Sequence, residues 1–155
     1  MTSQSNGDTQ NRVVRLSLDE IMNLRVAVLR QGTPATTCDY PEDAYSDVVH
    51  LGITHNGVVV ATSTWFAKEC PEAVGEKAMQ LKGMAVDSTL QGDGLGAELI
   101  AAGIALAQSR SMHVVWARAR DSALGFYEKC GFTAVGDQFI DGPTAMPHHI
   151  VIRRL

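Results

Sequence analysis

The sequence is short of cysteine, of long apolar runs and of positive charge, and each shortage removes a class of function. Three cysteines, Cys38, Cys70 and Cys130, leave one unpaired in any disulfide scheme and show no Cys-x-x-Cys spacing. A secreted disulfide framework does not fit, whereas reduced thiols in a cytoplasmic protein do. The longest apolar run, Leu99 to Ala107, is nine residues counting Gly103, against the roughly 20 that a membrane span needs. Lys plus Arg number 13 against 17 Asp plus Glu, a net charge of −4. That balance lacks the dense basic face of a non-specific nucleic-acid binder. Residues Met1 to Asn11 contain no apolar core, so they read as a disordered leader and not as a signal peptide.

What is present is 155 residues with 45% apolar and 19% charged side chains, which predicts one globular domain over residues 12–155. A first strand is expected over Arg12–Leu18. Ser17, with Glu20 three residues on, has the form of a capping box opening a helix over Leu18–Arg30. Ile21, Leu24 and Val28 define its apolar face, with Arg25 and Arg30 expected outside. An irregular acidic stretch, Thr33–Ser46, follows. Strands over Val48–Thr54 and Val58–Phe66 flank His55-Asn56-Gly57, a strong hairpin signal. A loop over Ala67–Lys77, a strand Ala78–Val86, a helix Gly94–Ser109 and a strand His113–Ala117 come next. A helix Ser122–Lys129 ends at Gly131, and closing strands are expected over Phe132–Ile140 and His148–Arg153. The order predicts an α+β fold with one parallel crossover and antiparallel flanks.

The sharpest signal is the segment from the Met84-Ala85-Val86 strand end through Gln91-Gly92-Asp93-Gly94-Leu95-Gly96 into a helix. Three glycines let the backbone approach a ligand, and the helix behind them offers unpaired N–H groups to a pyrophosphate. A Walker A loop is excluded, because Ala97 and Glu98 follow Gly96. Gly92-x-Gly94-x-x-Ala97 satisfies a loose dinucleotide fingerprint, with Arg118 and Arg120 to meet a 2′-phosphate, but too little chain follows for a doubly wound sheet.

Gln91-x-x-Gly94-x-Gly96 resembles the Gln/Arg-x-x-Gly-x-Gly/Ala signature of the GCN5-related N-acetyltransferase superfamily. The run Ala119 to Phe132, containing Phe126-Tyr127 and Gly131-Phe132, is similar to that family's A-x-x-x-(F/Y)Y-x-x-x-GF segment. Leu29-Arg30-Gln31-Gly32-Thr33-Pro34, His50-Leu51-Gly52, Leu81-Lys82-Gly83-Met84-Ala85 and Pro147-His148 resemble a subgroup of small bacterial members without a settled substrate. The resemblance implies an acyl-CoA acyltransferase fold, a mixed and mostly antiparallel central sheet with helices on both faces. It implies acetyl-CoA as cosubstrate and a primary amine of a small molecule or peptide as acceptor. Backbone of Met84, Ala85 and Val86 would pair with the pantetheine arm, and the N–H groups of Gln91, Gly92, Asp93, Gly94, Leu95 and Gly96 would hold the pyrophosphate. Gly83 inside the strand suggests a bulge that opens a slot for the thioester.

By the same resemblance Tyr127 is the general acid that protonates the leaving thiolate. His148, whose residue type has an ordinary pKa of about 6.5, is the candidate base, with His50 behind it. Adjacent strand positions face opposite sides, so His148-His149 is not expected to hold a metal. Arg120 stands where many relatives carry Asn. Asp39, Glu42, Asp43 and Asp47 are expected as a solvated acidic loop, with a weak lean toward a cationic acceptor. Exposed strand edges make a homodimer an expectation. The alternative reading is an inactive acyl-CoA-binding sensor or partner domain. In a thermal-shift assay acetyl-CoA should raise the melting temperature and NADP should not; protection by NADP alone would transfer the loop to the dinucleotide reading.

Overall fold

Ser17 turns the chain from its first strand into its first helix. Its hydroxyl accepts from the Glu20 N–H at 3.2 Å, and the Ser17 N–H donates to the Glu20 carboxylate at 2.8 Å. Two otherwise orphaned N–H groups are thereby satisfied reciprocally. The computed structural model describes residues 12–141 and 145–155, and the leader expected over Met1–Asn11 lies outside them. The described residues form β1 (Val14–Leu16), α1 (Leu18–Leu29), β2 (Val49–His55), β3 (Val58–Ala67), β4 (Ala78–Val86), α2 (Leu95–Ser109), β5 (Val114–Arg120), α3 (Leu124–Lys129), β6 (Thr133–Ile140) and β7 (Pro147–Arg154). Short 3-10 turns cover Pro41–Ala44, Ser88–Leu90 and Asp121–Ala123. The chain forms two compact units, the described part of Met1–Phe66 with Gly83–Gly103, and Ala67–Lys82 with Ile104–Leu155.

In the first unit the strand order is β1-β2-β3-β4. β1 pairs antiparallel with β2 from Val14↔Gly52 to Leu16↔His50, and β2 pairs antiparallel with β3 through the Asn56-Gly57 hairpin. Both turn residues have positive φ, 52° and 80°, as a tight hairpin requires. α1 buries Ile21 and Leu24, and Trp65 and Phe66 of β3 have no exposed surface.

In the second unit the order is β4-β5-β7-β6. β4 and β5 form the parallel crossover, Ala78↔Val114 to Leu81↔Ala117, and β7 is antiparallel to both β5 and β6. β5 runs three residues beyond its expected end. Its backbone stays paired through Arg118↔Ile150, Ala119↔His149 and Arg120↔His148, and a ladder of backbone bonds is indifferent to charged side chains on an accessible face. Cys70, Ala73, Ala78, Val114, Trp116 and Ile152 form the core of this unit. Trp116 buries its ring and donates its N–H to the Lys68 carbonyl at 2.8 Å, so the 67–77 loop is tied down although it lacks regular structure. All three cysteines are free thiols. No helix among the described residues is long and apolar enough to cross a membrane.

The first unit tolerates no side chain at Gly103 of α2. A Cβ there would lie 1.9 Å from Cζ2 of Trp65, whose ring N–H is pinned to Ser63 Oγ at 2.8 Å. Gly103→Ala should therefore destabilise the fold by about 1–3 kcal/mol, measured as a shift in the urea midpoint; an unchanged midpoint would show that α2 shifts freely.

Candidate active site

β4 ends at Val86, and the loop behind it is held by short-range polar bonds. Asp87 accepts from the Thr89 N–H at 3.0 Å and the Thr89 hydroxyl at 2.7 Å. Those two bonds hold its carboxyl below the usual carboxylate range. Gln91 reaches back to donate its side-chain amide to the Val86 carbonyl at 3.1 Å. Gly92 and Gly94 have φ of 95° and 82°, and the space where their Cβ atoms would stand is open. The first intrahelical bond of α2 runs from the Glu98 N–H to the Gly94 carbonyl at 3.1 Å, so the N–H groups of Leu95, Gly96 and Ala97 precede the helical ladder. Asp93 is exposed to solvent. The arrangement is an open backbone cradle at the positive end of a 15-residue helix. Leu24, Ala27, Val28 and Gln31 form one side of a cleft whose other side is Asp87, Ser88 and Gln91. On β4 the parallel ladder with β5 stops at Leu81. Gly83 follows with φ of 67°, and beyond it Ala85 is buried while Met84 and Val86 are half-buried.

Beside Gly83 the structure overturns one expectation. Arg25 does not lie outside α1; it is 0% exposed. Its guanidinium makes a bidentate pair with Asp43, 2.8 Å on each arm, and donates further to the Cys38 carbonyl at 2.9 Å and Thr64 Oγ1 at 2.7 Å. The Tyr40 ring lies 4.5 Å from its central carbon. Asp43 is completed by the Tyr40 N–H at 2.8 Å. Burial alone would raise Asp43, but the bonds from Arg25 and from the Tyr40 N–H outweigh it and hold the carboxyl below its ordinary range. His50 Nδ1 lies 2.8 Å from Thr64 Oγ1. The Thr64 hydroxyl thereby joins His50 to the Arg25 cluster. Burial, then the Arg25 charge, lowers the His50 pKa. Of the acidic loop, Asp43 is neutralised and Glu42 is buried, while Asp39 is exposed. The sequence did carry a signal for Arg25: positions 21, 24, 25 and 28 are the i, i+3, i+4, i+7 of a buried helix stripe.

The second unit holds the other sequence-expected residues. Tyr127 of α3 is buried, edge-on to Phe126 at 5.1 Å and Phe132 at 5.4 Å. Burial pushes its phenol above the ordinary value, so it keeps its proton at neutral pH. His148 is 4% exposed, and its Nδ1 lies 2.7 Å from the Met146 carbonyl. A carbonyl only accepts, so Nδ1 carries a proton. Nε2 faces Asp141 at 3.6 Å. The ring stacks on Phe139 at 5.7 Å, and Arg118 covers Phe139 and pairs with Asp141 at 3.1 Å. His149 points to the other side, with Nδ1 2.7 Å from Asp121, which also accepts from Gln138 at 2.6 Å. The bond from His149, then that from Gln138, lowers the Asp121 carboxyl. Neither Asp121 nor Gln138 was singled out in the sequence.

The loop sits on an α+β framework in which β4 and β5 pair in parallel. The sequence profile of the Acetyltransferase (GNAT) family matches residues 18–132. The chain belongs to that family. It is 29% identical over 141 residues to the "Uncharacterized N-acetyltransferase YitI" of Bacillus subtilis, covering 90% of this chain and 93% of that one. The GNAT fold is shared with an acyl-CoA N-acyltransferase from Pseudomonas aeruginosa (TM-score 0.71, 20% identity, 91% of this chain and 97% of the other). It is shared as well with a chain of "the NatC complex bound to Gag peptide and CoA" (TM-score 0.68, 16% identity, 93% and 99%). The protein is thus an acyltransferase of the GNAT N-acetyltransferase type, and the doubly wound dinucleotide reading falls away.

Within this GNAT chain the Arg25 cluster makes stability depend on pH. Asp43 and His50 both have folded pKa values below their unfolded ones, so each contributes stability above its unfolded pKa that is lost as pH falls through the folded value. Unfolding midpoints in urea should fall between about pH 7.5 and about pH 5.5, the window just around the unfolded His value, and His50→Gln should flatten that step. An equal drop in the variant would assign the step to another group.

Proposed function

We propose that this GNAT chain transfers an acetyl group from acetyl-CoA to the primary amine of a small molecule or peptide. The observation that carries the reading is the open cradle of Gly92 and Gly94 beneath the N-terminus of α2. It fits a pyrophosphate because it offers fixed N–H donors and leaves room for the ligand's approach. Gln91, Gly92, Gly94, Leu95 and Gly96 would hold that group by their backbone, whereas the Asp93 N–H, also expected to do so, is donated to the Leu90 carbonyl at 3.2 Å; Met84, Ala85 and Val86 would pair with the pantetheine amides. When bound, the cosubstrate supplies a thioester carbonyl activated toward amines.

The residues of the chain then have proton work to do. The amine attacks the carbonyl carbon directly, a C–N bond forms and the C–S bond breaks. His148 would accept the amine proton at Nε2, since Nδ1 is engaged by the Met146 carbonyl, and Asp141 at 3.6 Å would stabilise the resulting imidazolium. Tyr127, held protonated by burial, supplies the proton taken by the departing thiolate. The acceptor is read as an amine and no more narrowly, because the acidic loop expected to favour a cation has Asp43 bound to Arg25. Cytoplasmic residence and pairing of exposed strand edges into a homodimer remain part of the same reading.

Free-thiol release with acetyl-CoA across a panel of amines tests it. Turnover should exceed background for wild type, and Tyr127→Phe and His148→Ala should each lower kcat by about 100-fold, the usual contribution of one acid or base, with little change in the KM for acetyl-CoA. Wild-type release at background for every amine would favour the acyl-CoA sensor instead.

A further inference from the structure

The Arg25 cluster is larger than stability requires. A buried ion pair is a poor stabiliser, since apolar residues of similar volume fill the same space without desolvating two charges. Here four of five guanidinium donors are spent on Asp43, Cys38 and Thr64, and the fifth, the Nε–H, is buried without a partner. That Nε lies 3.2 Å from where a Gly83 Cβ would stand, and Tyr40 Cε2 lies 3.0 Å from the same point. The planar guanidinium and the phenol ring, themselves stacked at 4.5 Å, therefore form a two-sided wall against β4 at its left-handed residue, φ 67°. The wall is rigid because its fork is anchored to three separate segments: the Cys38 backbone, the Asp43 side chain and β3 through Thr64.

We infer that Arg25, Asp43 and Tyr40 are positioning residues that hold the left-handed turn at Gly83 and thereby aim the backbone of Met84, Ala85 and Val86 at the acyl-CoA. The inference rests on the acetyl-CoA reading of that strand. It explains why a charged pair occupies a place that apolar side chains could fill: a fork with fixed donor directions sets an orientation, whereas aliphatic packing sets only a volume. Gly83 meets the wall with no side chain of its own, and a Cβ on it would press on the guanidinium and the ring, so the wall lies close against the side of the turn that glycine leaves bare.

The test replaces the pair without stranding a charge. Arg25→Met combined with Asp43→Leu should melt near wild type yet weaken CoA binding, measured by calorimetry, by about tenfold or more, the scale of a small misplacement of binding groups. KM for acetyl-CoA should rise more than kcat falls. Tyr40→Phe, which keeps the ring, should retain more affinity than Tyr40→Leu, and this pair serves if the double variant fails to fold. A folded double variant, or Tyr40→Leu, that binds CoA as wild type does overturns the inference. If wild type itself binds no CoA, the acetyl-CoA reading fails, and amide exchange at Met84–Val86 then judges the positioning alone. Exchange faster in the variants than global unfolding explains supports it, and unchanged exchange overturns it.

Discussion

A guanidinium with no exposed surface stays charged inside a protein only where its donors are matched and an anion faces it, and Arg25 meets that condition through Asp43, Cys38 and Thr64. That requirement organises the first unit. It draws the segment after α1, which has little regular structure of its own, against β3, and it links His50 to the cluster through the Thr64 hydroxyl. It also brings Tyr40 over the guanidinium and both against Gly83. A loop that reads as solvated acid in one dimension is in three dimensions a strap buckled by a single side chain.

The cradle at the start of α2 depends on a simpler economy. Gln91 and Asp87 use their side chains to tie the loop to itself, which leaves the backbone N–H groups of the helix start outside the helical ladder. Side chains tie the loop, and the first backbone donors of the helix are left out of that work. Gly92 and Gly94 are favoured there by their positive φ, 95° and 82°, since the space at their Cβ positions is open, and the exposed Asp93 between them is under no such constraint.

In the second unit strand alternation divides two neighbouring histidines. His148 turns toward Phe139, Asp141 and the Met146 carbonyl, and His149 toward Asp121. Each has its Nδ1 held by an oxygen acceptor. A pair that looks like one feature in the sequence is two separate sites, and Arg118, which the sequence offered to a phosphate, is bound to Asp141 over Phe139.

The sequence by itself determined the element order, the capping box at Ser17, the Asn56-Gly57 hairpin, the glycine loop and the family, because these depend on local spacing and on backbone geometry that neighbouring residues impose. The extension of β5 to Arg120 and the burial of Arg25 were decided only by tertiary structure. β5 continues because β7 supplies a partner ladder, and Arg25 goes inside because Asp43, 18 residues away, neutralises it. Both depend on groups distant in sequence, and the sign of a charged residue's preference changes once its partner is present. Local pattern records which residues are polar; the fold decides which of them have found each other.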